Sequence, residues 1–394
     1  MIDLVALESL YAEPSRNGLT RPKRVRGAGF KMINMGELFA HDRINNPPMD
    51  LVPMSEDEVA RFGVQAGDLL FARQSLVAEG AGKCSIALRV PEITTFESHL
   101  IRVRLDRKIA DPLFYFYYFS SPSGKANVQS LVMQVAAAGI RGSELAKLKI
   151  PRLSLLRQRR IASILSAYDD LIENNTRRIA ILEEMARRIY EEWFVRFRFP
   201  GHENVRMVES ELGLVPEGWC KRKLGDDIEL AYGKALKSEE RIAGEVPVYG
   251  SSGIVGYHNA SLVGGPGIIV GRKGNVGSVY WSDVPFYPID TVYFVKTPLP
   301  FHFVFFNLKQ QNFLNNDAAV PGLNRNQAYA LPLLLPDGDL LAAFETRCGP
   351  LLEFARLLAK TNTNLRTTRD LLLPKLIAGE LDVSDLPEPQ AVAA

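Results

Sequence analysis

Between Ile161 and Trp193 apolar residues recur at alternating four- and three-residue steps, and this pattern constrains the chain most. Ile161, Tyr168, Asn175, Leu182 and Ile189 form one row; Leu165, Ile172, Ile179, Ala186 and Trp193 form the other. The opposite face carries Arg177, Arg178, Glu183, Glu184, Arg187 and Arg188. This is a heptad seam on a long helix, interrupted by one amide. From Ser154 to Arg196 such a helix runs ~60 Å at 1.5 Å per residue. It cannot bury its seam alone, so it requires a second long helix. The sequence offers one: Leu351, Leu358, Leu365 and Leu372 lie seven apart, with Cys348, Ala355 and Asn362 in the alternate row. Asn175 and Asn362 each fall mid-seam, where a buried amide fixes register and needs a partner.

The blocks preceding the two helices repeat. Leu69-Leu70-Phe71-Ala72-Arg73 parallels Ile268-Ile269-Val270-Gly271-Arg272, and His99-Leu100-Ile101-Arg102-Val103 parallels Thr291-Val292-Tyr293-Phe294-Val295. Pro112 and Pro300 each open an aromatic run, and the tracts AAAGIRGSEL and AAVPGLNRNQ correspond. The offset stays near 185 to 199 residues throughout, as from Leu148 to Leu333 and from Leu69 to Ile268. A globular block followed by a long helix, twice over, is a duplication too long in period for a solenoid. Two like halves in one chain imply a pseudo-twofold molecule. We therefore expect an α+β fold with two similar domains joined by a long antiparallel two-helix coiled coil. The expected boundaries are a first domain at 1–151, a central helix at 152–199, a second domain at 200–337, a terminal helix at 338–380 and a tail at 381–394. Residues 195–220 read as an exit linker rich in Pro and Gly.

The 394 residues suffice for two to three domains. Net charge is only +2, but its distribution is uneven. Six Lys/Arg and no acid lie between Arg16 and Lys31; seven lie between Arg141 and Arg160 against Glu144 alone. Such runs can hold a phosphate backbone, although a solvated face is the commoner meaning. Cys84, Cys220 and Cys348 are too scattered for a zinc site or a disulfide framework. The apolar runs fall short of a membrane span, and a cytoplasmic location is expected.

Several strings weigh against chemistry of the chain's own. Asn46-Pro47-Pro48-Met49 resembles the NPP-aromatic turn of adenine methyltransferases, but Met replaces the aromatic and no Gly-rich methyl-donor loop lies nearby. Gly80-Ala81-Gly82-Lys83 lacks the first glycine and the Ser/Thr of a phosphate loop. The spacing of Gly271, Gly274 and Gly277 fits a hairpin that lets backbone approach DNA, rather than a dinucleotide fingerprint. The five histidines share no spacing. The aromatic runs Phe114–Phe119 and Phe301–Phe306 read as core.

The chain resembles a specificity (S) subunit of a Type I restriction–modification enzyme over nearly its full length. The resemblance rests on Pro216-Glu217-Gly218-Trp219, on the run from Val248 to Tyr257, and on the run from Gly271 to Gly277. Arg157-Gln158-Arg159-Arg160-Ile161 and the run from Arg369 to Leu381 add to it. The first block departs from the pattern, lacking the PEGW and YGSSG strings of the second. The resemblance implies two target-recognition domains, each reading half of a split double-stranded DNA sequence, held apart by the helix pair. It implies two docked modification subunits that methylate adenine with S-adenosylmethionine, and restriction subunits that use ATP and Mg. The specificity subunit then needs no cofactor and performs no chemistry. Candidate DNA contacts are Arg73, Lys83 and Arg141 in the first block, and Arg272, Lys273, Asn275 and Arg325 in the second. A free-standing adenine methyltransferase and a DNA-binding scaffold without a modification partner stay open as alternatives.

Overall fold

The computed structural model describes residues 3–75, 80–134, 138–211, 213–313 and 322–387. Two compact units form, Met1–Asn175 with Thr361–Ala394, and Thr176–Lys360. The division falls inside the two long helices, Leu155–Tyr190 and Gly338–Ala378, rather than at their ends.

Each unit is built on the same frame. In the first unit a five-stranded sheet has the order Tyr11–Asn17, Leu100–Leu105, Leu69–Ala72, Cys84–Arg89, Arg43–Asn45. In the second, Glu229–Tyr232, Val292–Lys296, Gly267–Gly271 and Val279–Ser282 follow the same order. Beside it the first unit sets Asp50–Val52, Phe30–Ile33 and Thr94–Phe96, with one antiparallel and one parallel pairing. Gly253–His258, Val246–Gly250 and Tyr287–Pro288 repeat that arrangement in the second unit. A two-stranded ladder completes each block: Asp3–Ala6 with Lys149–Arg152, and Cys220–Lys223 with Pro332–Leu335. Gene duplication, read from scattered residue matches, thus appears as strand order, direction and register.

The aromatic runs are core. Pro112–Ser120 is a helix whose first turn is set by Pro112 and capped by Asp111, which accepts from the Phe114 amide at 2.9 Å. All six residues from Phe114 to Phe119 are buried. Phe301–Gln310 is its counterpart, with Phe303 and Phe306 buried and Phe301 and Phe305 packed at the edge.

The long helices pair antiparallel within each unit. In the first, Ile161 and Leu165 are fully buried against Leu373, Leu376 and Ile377. Further along, Asn175 donates to the Asn362 side-chain oxygen at 2.9 Å, and Asn362 donates to the Ile172 carbonyl at 3.3 Å. Ile172, Asn175, Leu358 and Asn362 are buried, whereas Tyr168, Ile179, Leu182, Ile189, Leu351, Leu365 and Leu372 keep partial exposure. In the second unit Ala186, Tyr190 and Trp193 pack with Phe344 and Cys348. Ser154 caps the first helix through the Arg157 amide, and Gly379, at φ 77°, ends the second.

Among its described residues the expected linker at 195–220 instead forms regular structure. Met207–Ser210 and Gly213–Pro216 form a hairpin. The turn after Pro216 brings the Trp219 ring onto Phe199, 5.6 Å between centroids, and edge-on to Phe197 at 5.3 Å. Pro and Gly content suggested a linker; the aromatics at 194, 197, 199 and 219 supply a core for it instead. The tail PEPQAVAA lies outside the described residues beyond Pro387.

Candidate nucleic-acid interface

The duplicated frame carries the candidate residues at the ends of its central strands. In the first unit the Arg73 amide donates to the His99 carbonyl and the Arg73 carbonyl accepts from Ile140, at 2.7 and 2.9 Å. In the second, the Arg272 amide donates to Thr291 and its carbonyl accepts from Leu323, at 2.9 and 2.8 Å. The returning turn is matched as well: Gly82 donates to Ala72 and Gly277 to Gly271, with φ 80° and 76° at the two glycines. That left-handed backbone favours glycine. A Cβ on Gly271 would stand 2.1 Å from the Asn275 carbonyl oxygen, so the tight Arg272–Gly277 loop requires glycine there. The longer first-unit loop tolerates Ala72; its residues 76–79, including Val77, lie outside the described residues.

The same frame therefore presents different side chains. Arg272 corresponds to Arg73, and Asn324 to Arg141. Arg325 corresponds to Gly142, and Tyr232, paired with Tyr293, to Asn17, paired with Ile101.

In the second unit these residues line an open cleft of ≈ 360 Å³ that includes Tyr232, Arg272, Lys273, Asn324, Arg325 and Asn326. The Arg272 and Arg325 guanidiniums each lie 4.9 Å from the Tyr232 ring centroid. Arg272 is also 5.8 Å from the Tyr293 ring, and its Nη1 donates to the Asp290 carbonyl at 2.9 Å. Arg325 is 5.8 Å from the Tyr329 ring. Among the described residues none of Arg272, Lys273 and Arg325 makes an ion pair, so the cleft is a local excess of positive charge. Burial raises the Tyr293 hydroxyl above its ordinary range; hydrogen bonding to Tyr232 adds to this and Arg272 opposes it. Asn324 caps the helix Arg325–Ala330 by accepting from the Asn326 and Gln327 amides, which fixes Arg325 at the first helical position. Asn275 is exposed in the glycine turn, where its carbonyl accepts from the Ser278 hydroxyl.

The first-unit candidates are more dispersed in role. Arg73 is half-buried and Arg141 exposed, and neither is ion-paired among the described residues. Lys83 is committed internally: its ammonium pairs with Asp42 at 3.0 Å and donates to the Phe39 carbonyl at 2.9 Å. Half of the basic run from Arg16 to Lys31 is neutralised, through Arg21–Glu58, Arg26–Asp50 and Lys31–Glu92. Arg102 and Arg104, buried and half-buried, pair with Glu13 and Asp68. The Asn46-Pro47-Pro48-Met49 string is a structural turn; Asn46 has φ 53°, and its side-chain oxygen accepts from Lys31 at 2.8 Å.

A model of the family described as Type I restriction modification DNA specificity domain matches residues 51–184 and 216–337, more than half of the chain. The chain belongs to this family. Both sets of candidate residues fall within the matched segments, one set in each. The chain is 24% identical over 344 residues to the Type I restriction enzyme MjaIX specificity subunit of Methanocaldococcus jannaschii, covering 76% of each. It is 26% identical over 218 residues to the putative MjaX specificity subunit of the same organism, spanning 55% of this chain and 50% of that one. A solved Type I S subunit from M. genitalium shares the fold at a TM-score of 0.61 and 17% identity, over 95% of this chain and 96% of that one.

Sequence reasoning passed over Asn324, Asn326 and, with the most consequence, Tyr232, which it placed only within a strand. The signal was available: it ends its strand directly before Gly233-Lys234, where an apolar core position is no longer required.

Proposed function

We propose that this chain is the DNA-reading subunit of a Type I restriction–modification assembly. Each unit reads one half of a bipartite double-stranded target, and the paired long helices set the gap between the halves. Modification subunits, two per chain, methylate adenine using S-adenosylmethionine, and restriction subunits use ATP and Mg; this chain contributes recognition and carries out no bond-making step. The observation that carries the reading is the duplicated frame. It presents Arg73 and Arg141 in one unit, and Arg272, Lys273 and Arg325 in the other, as cations with no internal carboxylate partner among the described residues. Cations held this way exchange condensed counterions for DNA phosphates and offer forked donors to base edges. The different residues on the two copies fit two different half-sites.

The test is methyl transfer in a purified system. The chain, a candidate partner methyltransferase of the host, and labelled S-adenosylmethionine are combined with genomic DNA. Sequence-specific incorporation is expected only when both proteins are present. Incorporation by this chain alone would replace the reading with a free-standing methyltransferase.

A further inference from the structure

Within the second-unit cleft, Tyr232 has an unusual place. Its side chain is about half exposed, yet both unpaired arginines rest against its ring at the same 4.9 Å distance. Arg272 is further fixed by the Asp290 carbonyl and the Tyr293 ring, and Arg325 by the Tyr329 ring and the cap on its helix. An arginine meant only to meet phosphate needs charge but little direction, and an exposed cation such as Lys273 suffices for that. A guanidinium held against an aromatic face, as both are, and in Arg272 also by a backbone acceptor, is prepared for bidentate bonding, which the O6 and N7 atoms of guanine accept. Each loses less freedom on binding than a solvated side chain does.

Resting on the DNA-reading function above, we propose that Tyr232 is a positioning residue. It holds Arg272 and Arg325 as a prearranged pair of guanine readers for the half-site bound by the second unit, with Lys273 as the adjoining phosphate contact. The first unit has Asn17 and Gly142 at the positions of Tyr232 and Arg325, so its Arg73 and Arg141 read without such a pair.

The experiment uses the full chain with its modification subunits and duplexes randomised in each half-site, followed by titrations of a selected and an unrelated duplex across salt. Tyr232→Leu removes the ring and leaves every charge in place. Guanine preference in the second word should fall roughly 5- to 150-fold. The first word, the affinity for unrelated duplex and its salt slope should stay as in the unsubstituted chain. Tyr232→Phe should restore the preference, because the ring is what the guanidiniums rest on. Arg272→Lys and Arg325→Lys should lose it despite the retained charge. Uniform weakening on all duplexes by Tyr232→Leu, or unchanged preference in the lysine variants, would make the arginines phosphate contacts and overturn the assignment while leaving the DNA-reading function standing. An unsubstituted assembly with no sequence preference would overturn both.

Discussion

Replacing Asn175 and Asn362 with leucine, singly and together, separates what the amide pair contributes from what its absence would cost. Both amides are buried, at 8% and 2% exposure, and they are joined by the 2.9 Å bond from Asn175 to Asn362. Asn175→Leu removes the donor to the Asn362 oxygen. Asn362→Leu leaves the Asn175 amide and the Ile172 carbonyl without that partner. A buried polar group deprived of its partner costs about 1–3 kcal/mol, and each single variant should be destabilised by that amount. The double variant replaces both amides with groups suited to the seam and should be close to neutral or more stable. The double-mutant cycle should therefore give a coupling of about 2–6 kcal/mol, the sum of the two single penalties, read from chemical denaturation. DNA sequence preference should be unchanged in all three variants. Additive single effects would refute the pairing, and altered preference would refute a purely structural role.

Three further outcomes are expected. Asp169 is buried and accepts from the Tyr117 hydroxyl at 2.6 Å and from Arg369, so Asp169→Ala should destabilise the first unit by roughly 3 kcal/mol, the lower end for a broken buried pair; denaturation midpoints check this. Burial, with Glu345 nearby, pushes the Cys348 thiol up to about 12, so at pH 8 it stays neutral. Iodoacetamide should label exposed Cys220 and spare buried Cys84 and Cys348 until the chain unfolds, as peptide mass spectrometry would show. If the helix pair spaces the half-sites, adding four residues to each long helix should lengthen the preferred gap by ~6 Å, about two base pairs; selection from duplexes with variable gaps reads it, and a constant gap rejects the spacing role.

The heptad rows made both long helices legible, because a seam repeating every seven residues has few other uses. The Asn pair was legible for the same reason: a lone amide in each seam requires a partner. The duplication was legible because strand ends carrying Leu-Leu-Phe-Ala-Arg and Ile-Ile-Val-Gly-Arg kept their order. Side-chain commitments were not. Lys83, Arg21, Arg26 and Lys31 read as available charge, but their acids, Asp42, Glu58, Asp50 and Glu92, arrive from other strands and loops that no local pattern announces. Trp219 and Phe199 made a core of a segment whose prolines and glycines suggested a linker, since ring contacts across a turn leave no periodicity. Tyr232 was missed because its partners, Arg272 and Arg325, lie far along the chain and meet it only through strand register and a helix cap.

The most direct test is the map of methylated adenines across the host genome, with and without this chain, in cells that keep the methyltransferase. The account predicts a split motif, two short words around a fixed gap, that disappears when the chain is deleted and changes only in its second word with Tyr232→Leu. An identical methylation pattern in both strains would contradict it.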